Sequence, residues 1–262
     1  MKKEYMIYIA VAVIVIIAVA AYLLLTLSGC PLCGKPVSSS YIQSLQGISN
    51  NYTLADQVGT GTILVGGFPN VPKSINATPF IVNGKPEVLY VGGEFCPYCA
   101  ITRWGLIIAL MRFGTFSNLT YMESSATDVY SDTPTFTFVN SSYHSNLINF
   151  NGYEIYNRME QNQTTNISDA YLGIYAMEGQ GVPFIDFANT SVQSGSVISP
   201  GLLHGYNYNQ VLSNMNNQSS PVSQEIIASA NLFTAYICKS NMTLNSSAVA
   251  CKQSYVKKFV GS

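Results

Sequence analysis

The hydrophobic pattern of the chain begins with one long uninterrupted stretch. Residues 6–27 form a run of 22 residues without a charge, which as a helix is long enough to cross a hydrocarbon core of about 30 Å. Two lysines precede the run and only Lys35 follows it closely, so the positive-inside rule places the N-terminus in the cytoplasm. A cleaved signal usually has an apolar stretch of only about 7–15 residues, so an uncleaved anchor is favoured over cleavage. The pattern predicts a cytoplasmic tail at 1–5, a transmembrane signal anchor at 6–27 and an extracellular remainder.

The next segment, residues 28–60, is polar and shows little periodicity beyond a short helix at Tyr41–Leu45. It predicts a juxtamembrane linker, followed by a folded domain at 61–262. That domain opens with short apolar runs typical of strands, and the Asn83-Gly84 pair is a tight-turn signal before the last of them. The predicted strands are Thr62–Val65, Phe80–Val82 and Glu87–Val91.

A long apolar helix follows the third of these strands. Pro97 suits the first turn of a helix and Gly114 its end. Because the residues between them are apolar nearly all round, the helix is predicted to be buried. Cys96 and Cys99 lie at the junction of strand and helix, where unpaired amides and the helix dipole favour the thiolate of the first cysteine. Cys99 is placed to attack a mixed disulfide formed at Cys96, so this pair predicts thiol–disulfide exchange.

The rest of the domain predicts an α/β fold with a large insertion. Leu119–Met122 is predicted as the next strand, and a further apolar strand begins at Val182 and Pro183. The interval of about 125–180 between them is predicted as the insertion, and helices return at about 221–260. The elements predicted inside the insertion are strands at Thr135–Val139 and Leu147–Tyr153 and a helix at Asp169–Met177 behind Ser168 as N-cap.

The composition bears on location and partners. Only 10% of the residues are charged, against a usual share of about 25%. Two interpretations stay open: drift in composition, or adaptation to an acidic exterior, where carboxylates lose charge near their pKa of about 4 while hydroxyls and amides keep hydrogen bonding. The net charge of −1 and the lack of basic runs argue against nucleic-acid binding. Ten Asn-x-Ser/Thr sequons agree with an outside location, although a chain so rich in these residues forms many by chance: Asn51, Asn76, Asn118, Asn140, Asn162, Asn166, Asn189, Asn217, Asn241 and Asn245.

Residues 80–240 resemble the thioredoxin fold with a helical insertion, as in glutaredoxins and periplasmic disulfide oxidoreductases. The resemblance rests on the order of strand, C-x-x-C, long helix and a later strand opening with Val-Pro. It implies a cis peptide bond at Pro183, with the backbone of Val182 pairing with an extended substrate. More narrowly, the chain is similar to an archaeal membrane-anchored thioredoxin-like family of unknown function, in the segments GEFCPYCAITRWGLIIALMRFG, SSATDVYSDTPTFTF and ANLFTAYICKS.

Many members of that superfamily carry a buried acid six residues before the first cysteine, which takes the proton of the second. Here that position is Tyr90. Glu94 is the nearest carboxylate, and both residues are candidates for proton transfer. Because glutamate is mostly exposed in proteins, Glu94 is interpreted as a solvated loop residue. How Cys99 loses its proton therefore stays open.

Four further cysteines remain. Cys238, at the end of a predicted helix that begins behind Ser220, and Cys251, in the next helix, are predicted to form a structural disulfide. For Cys30 and Cys33 four interpretations stay open: lipidation of Cys30 in a lipoprotein box, a zinc knuckle, an inert disulfide, and a second redox pair, which is favoured. No cofactor or resident metal is predicted.

The leading hypothesis is a membrane-anchored extracellular thiol–disulfide oxidoreductase that forms, reduces or isomerises disulfides in exported proteins. Cys96 attacks, Cys99 resolves, and Val182 with Pro183 holds the substrate. The expected partners are exported cysteine-containing proteins and a quinone-linked membrane redox enzyme. The alternative is a non-catalytic extracellular binding module in which Cys96 and Cys99 form a permanent disulfide. A scaffold stapled by zinc through both C-x-x-C pairs is a third hypothesis.

Overall fold

The computed structural model describes residues 8, 11–19, 29–63, 71–163, 167–177 and 179–260. They belong to two compact units, Met1–Leu32 and Cys33–Ser262. In the first unit, residues 11–19 are helical and exposed. Within the described ranges, no helix is both long and apolar enough to cross a membrane. The predicted tail at 1–5 and the remainder of the predicted anchor lie outside those ranges.

The second unit begins with two helices in the segment that was predicted as a linker. Helix α1 is Ser39–Ser49 and helix α2 is Tyr52–Val58. Ser38 and Asn51 cap them by accepting backbone N–H bonds. The apolar residues are spaced so that one face of each helix is buried in the main core. Residues 39–58 are therefore part of the folded domain, and the predicted start near residue 61 is too late.

Ten strands and six further helices follow along the described part of the chain. The strands are β1 Lys73–Ser74, β2 Ile81–Val82, β3 Lys85–Gly93, β4 Thr115–Ser117, β5 Thr120–Glu123, β6 Pro134–Thr137, β7 Ser142–His144, β8 Asn149–Tyr156, β9 Phe184–Phe187 and β10 Ser191–Ser194. The helices are α3 Pro97–Met111, α4 Asp169–Met177, α5 Tyr208–Met215, α6 Ala228–Ser240, α7 Leu244–Ser247 and α8 Ser254–Val260, with short 3₁₀ turns at Pro200–Leu203 and Val249–Lys252. The protein is thus of the mixed α/β class, as predicted.

Strand β3 is the centre of the main sheet. It pairs in parallel with β8 on one side and antiparallel with β9 on the other, and the sheet continues through β10 to β1. At its start, β3 forms a hairpin with β2. The hairpin turns at Asn83 and Gly84, both with positive φ (52° and 77°), as their sequence predicted. Of the predicted strand Thr62–Val65, the first two residues lie in a turn and the rest are outside the described residues.

The predicted location of the insertion is wrong. Residues 120–123 do form a strand, but β5 pairs with β6 in a separate two-stranded sheet, and β4 pairs with β7 in another. The strand beside β3 is β8, which the sequence had placed inside the insertion. These two two-stranded sheets therefore lie between α3 and β8, and α4 is the one named element between β8 and β9. Alternating apolar residues indicate a strand, but they do not indicate its partner.

Two buried helices pack against each other beside the sheet. Every residue of α3 except Tyr98 is buried. The helix predicted behind Ser220 is present, with a π-helical stretch at Ser223–Ile227 that continues into α6. A Cβ atom added to Gly105 of α3 would lie only 2.1 Å from Oγ of Ser229 on α6. The helices approach so closely there because Gly105 has no side chain.

The predicted disulfide between Cys238 and Cys251 is present and closes a loop with a sequence separation of 13. Replacing both cysteines by alanine should lower the free energy of unfolding by about 3 kcal/mol, because the unfolded chain gains the freedom of that loop. The melting temperature should fall by about 6–12 °C. The Cys96→Ala/Cys99→Ala variant is the matched control, since those two cysteines are free. Equal melting by calorimetry of the two double variants would contradict a stabilising role.

Candidate functional site

The dithiol lies where β3 passes into α3. Strand β3 ends at Gly93, and α3 begins at Pro97 with Cys96 as its N-cap. Sγ of Cys96 accepts the backbone N–H of Cys99 at 3.4 Å, so the sulfur takes the place of a capping oxygen. Both cysteines are free thiols. Cys96 is 8% exposed and Cys99 is completely buried.

The two thiols differ in their electrostatic environment. Hydrogen bonds from the thiol and backbone N–H of Cys99 lower the pKa of Cys96, with a further contribution from Arg103, and they outweigh the opposing effect of burial. Burial raises the pKa of Cys99 well above its usual value, and the neighbouring Cys96 raises it further. Cys96 is therefore the thiol that ionises first, and it is also the one that solvent reaches.

A buried ion pair lies beside the dithiol. Arg103, one turn beyond Cys99 on α3, donates from Nε and Nη2 to the two carboxylate oxygens of Glu154 on β8, at 2.7 and 2.6 Å. Nη2 also donates to the carbonyl oxygen of Gly93 at 2.7 Å. The N–H of Gly93 in turn donates to Sγ of Cys99 at 3.5 Å. The peptide group of Gly93 thus connects the ion pair to the second cysteine.

Tyr90, which occupies the predicted position of a buried acid, is fully buried. Its ring packs edge-on against Phe138, with centroids 5.2 Å apart, and Cζ of Arg103 lies 5.8 Å from its centroid. Its hydroxyl lies against the backbone of Gly92, because a Cβ atom there would be 2.1 Å from the hydroxyl oxygen. Burial raises the pKa of Tyr90 well above its usual value, so the hydroxyl keeps its proton.

Glu94 is not the solvated loop residue that the sequence indicated. It is 6% exposed. One carboxylate oxygen accepts the hydroxyl of Thr137 at 2.6 Å, and the other accepts the side-chain amide of Gln163 at 3.1 Å. These partners come from β6 and from the segment after β8, which explains how a glutamate becomes buried in a loop.

Val182 and Pro183 lie at the same end of the sheet as the dithiol. Val91 of β3 pairs with Phe184 of β9, so Pro183 is level with the end of β3 that leads to Cys96. The peptide bond between Val182 and Pro183 is cis, which confirms that prediction. The carbonyl oxygen of Pro183 accepts the N–H of Gly195 at 2.8 Å.

Exposed aromatic and apolar side chains lie between the two cysteines and on a loop that is bonded to the dithiol loop. Tyr98, between the two cysteines, is 42% exposed and contacts Tyr130 edge-on at 6.2 Å. Val129 is 85% exposed. The loop that carries Tyr130 and Val129 is joined to the dithiol loop by a bond from the N–H of Ser125 to the carbonyl oxygen of Phe95, at 2.7 Å.

The other C-x-x-C pair is in a different chemical state. Cys30 and Cys33 are both disulfide-bonded, as are Cys238 and Cys251. In this state neither Cys30 nor Cys33 offers a thiolate to a metal ion. Their assignment as a second redox pair stays a prediction.

Sequence reasoning missed Arg103, Glu154 and Thr137. A signal for Arg103 was present, since it is the only charge between Pro97 and Met111 in an otherwise apolar helix. A charge in a buried helix needs a buried partner. The partner, 51 residues away, carries no such signal.

The fold and the site together define a mixed α/β protein with a free dithiol at the N-terminus of a buried helix. A family model described as a domain of unknown function (DUF929) matches residues 72–178 and 153–239. Together these matches span more than half of the chain, which therefore belongs to this family. No curated protein and no solved structure matches the chain.

Proposed function

We propose that the protein is a thiol–disulfide oxidoreductase with a thioredoxin-like fold. One observation carries the proposal: Cys96 and Cys99 are free, and the structure favours ionisation of the first while it opposes that of the second. A structural pair has no need of that asymmetry. A nucleophile and a resolving thiol do need it, because Cys96 must be ionised to attack the client disulfide, whereas Cys99 attacks only after the mixed disulfide has formed.

The sheet supports the same proposal. Strands β8, β3, β9 and β10 lie side by side in that order, with β8 parallel to β3 and the other two pairings antiparallel. Helix α3 follows β3 directly, and α6 packs against α3. This order and these directions are those expected of a thioredoxin-like core, with two additional two-stranded sheets inserted after its first helix.

The exchange proceeds in two steps. In the reducing direction, the Cys96 thiolate attacks a client disulfide, one client sulfur leaves as a thiolate, and a mixed disulfide forms. Cys99 then attacks Sγ of Cys96, which releases the second client thiolate and leaves a Cys96–Cys99 disulfide. Two electrons pass to the client. The oxidising direction reverses each step, and the reduction potential of the pair decides between them.

The apolar segment at 6–27 supports a membrane-anchored protein whose dithiol faces the outside. Exported cysteine-containing proteins are then its clients. An oxidising enzyme must return its two electrons to an acceptor, for which we propose a quinone-linked membrane redox enzyme. Val182 and Pro183, at the dithiol end of β9, would hold an extended client segment beside Cys96.

The test is an insulin-reduction assay and a scrambled-ribonuclease assay on the purified full-length chain. The wild-type chain should accelerate one or both reactions, and Cys96→Ser should abolish the acceleration. Cys99→Ser should accumulate a mixed disulfide with the client, visible on a non-reducing gel, because nothing resolves it. The Cys238→Ala/Cys251→Ala variant serves as the control for removal of two cysteines away from the site.

The alternative of a binding module with a permanent disulfide makes an opposite prediction. A reduction potential below about −300 mV, together with a Cys96 thiol that titrates near its ordinary value of about 8.5, would overturn the enzyme proposal. Equilibration with thiol buffers measures the reduction potential, and the pH dependence of alkylation measures the pKa of the Cys96 thiol.

A further inference from the structure

We infer that the hydroxyl of Tyr90 and the guanidinium of Arg103 donate hydrogen bonds to the thiolate of Cys99. Cys99 is the leaving group when the Cys96–Cys99 disulfide opens, and these hydrogen bonds and the positive charge stabilise it in place of a proton-accepting acid. The inference rests on the proposed exchange at Cys96 and Cys99 and assigns the groups that serve its second sulfur.

Two buried donors in this region have no hydrogen-bond partner among the described residues. They are the hydroxyl of Tyr90 and Nη1 of Arg103, and both residues are completely buried. A buried donor without a partner costs free energy, commonly about 1–3 kcal/mol for a neutral group, so few are kept in proteins. Two of them beside one thiol suggest a partner that appears only during the reaction.

Tyr90 and Arg103 both lie beside the segment of β3 that bonds Cys99. Arg103 is four residues further along α3, on the same face of the helix. Its Nη2 bonds the carbonyl of the Gly93 peptide, whose N–H bonds Sγ of Cys99. The hydroxyl of Tyr90 lies against the neighbouring residue, Gly92. Tyr90 and Arg103 each interact electrostatically with Cys99.

The carboxylates of Glu154 and Glu94, which could otherwise accept the proton of Cys99, already accept hydrogen bonds from other side chains. Glu154 accepts two bonds from Arg103, and both oxygens of Glu94 accept bonds from Thr137 and Gln163. When a client thiolate attacks Sγ of Cys96 and opens the Cys96–Cys99 disulfide, the sulfur of Cys99 receives the electron pair of the broken bond in a completely buried position. Hydrogen bonds to a charged group are stronger than those to a neutral one, so the unpaired donors of Tyr90 and Arg103 stabilise the Cys99 thiolate more than its neutral thiol.

The test follows the closing of the disulfide without any client protein. The reduced full-length chain is mixed with the chromogenic disulfide dithiobis(nitrobenzoate), which couples one thionitrobenzoate to Cys96 and releases the other. Attack by the Cys99 thiolate then forms the Cys96–Cys99 bond and releases the second thionitrobenzoate. The rate of this second release, measured against pH, reports the ionisation of Cys99.

In Tyr90→Phe the midpoint of that profile should rise by about one pH unit or more, which makes closure at neutral pH about tenfold slower. The stability of the protein should not fall, because the lost hydroxyl has no partner. Tyr143→Phe is the matched control. It removes a partly buried hydroxyl that donates to the carbonyl of Leu110 at 2.8 Å, so it should lower stability and leave the profile unchanged.

Glu154→Gln tests the role of the Arg103 guanidinium, and it should shift the midpoint of the pH profile in the direction opposite to Tyr90→Phe. Without the negative charge of Glu154, the positive charge of Arg103 is no longer compensated, so it stabilises the Cys99 thiolate more strongly and the midpoint should move to lower pH. The inference is overturned by a profile that is the same in Tyr90→Phe as in the wild-type chain, and equally by a midpoint that does not fall in Glu154→Gln. A chain that closes its disulfide with these shifts but leaves insulin and scrambled ribonuclease unchanged would refute the proposed function and keep the inference.

Discussion

Replacement of Arg103 by methionine should lower the free energy of unfolding by about 3–5 kcal/mol, because it leaves the carboxylate of Glu154 buried without its partner. Both side chains of the pair are completely inaccessible to solvent, and the guanidinium makes both of its carboxylate bonds in a bidentate arrangement. The carbonyl of Gly93 loses a bond as well. Denaturant unfolding at neutral pH, followed by circular dichroism, measures the loss.

The Arg103→Met/Glu154→Leu double variant separates the cost of an unpaired charge from that of a missing contact. With no charge left in the core, it should regain most of the lost stability, since apolar residues often replace a buried ion pair at little cost. If the double variant is as unstable as Arg103→Met, packing around the two side chains, and not the unpaired charge, explains the loss.

The protein should become more stable on acidification, and protonation of Asp186 should account for a large part of the gain. Asp186 is 1% exposed, and burial raises its pKa to about 7 from 3.8. A raised pKa in the folded state stabilises the fold below the unfolded pKa, and this contribution is lost as the pH rises through about 7. Between about pH 7.5 and about pH 4.5, Asp186 alone should add roughly 3 kcal/mol.

Further carboxylates act in the same direction. Burial raises the pKa of Glu87, Glu123 and Glu225. Denaturant midpoints at several pH values test the slope, which Asp186→Asn should flatten and the exposed Glu160→Gln should leave unchanged. Stability that falls steadily from neutral to acidic pH would contradict the prediction. A rise on acidification favours the interpretation of the low charge content as adaptation to an acidic exterior.

The sequence predicted what local patterns determine. An apolar run, C-P-Y-C, Pro97 and Gly114 together define β3, the dithiol and α3 within 30 residues, and each of these elements was correctly expected. Asp169–Met177 and the disulfide between Cys238 and Cys251 were predictable for the same reason, since capping and local pairing depend on near neighbours.

The missed features depend on residues that are far apart in the chain. Whether β5 or β8 lies beside β3 is decided by tertiary packing, because both segments read as strands. Glu94 was taken for a surface residue because Thr137 and Gln163, which hold it, are 43 and 69 residues away. The helix α1 was missed as a core element because its sequence is mostly Ser and Gln, with only a thin apolar stripe.

The packing of α1 and α2 determines where the chain can be cut. A fragment that starts at residue 61, where the sequence alone would place the domain border, lacks Leu45, Ile48 and Leu54 and leaves their partners in the main core uncovered. Uncovered apolar surface of this kind leads to aggregation. A fragment for crystallisation should therefore begin at Gly34, which keeps α1 and α2 and removes Cys30 and Cys33 together, so that no new unpaired cysteine is created.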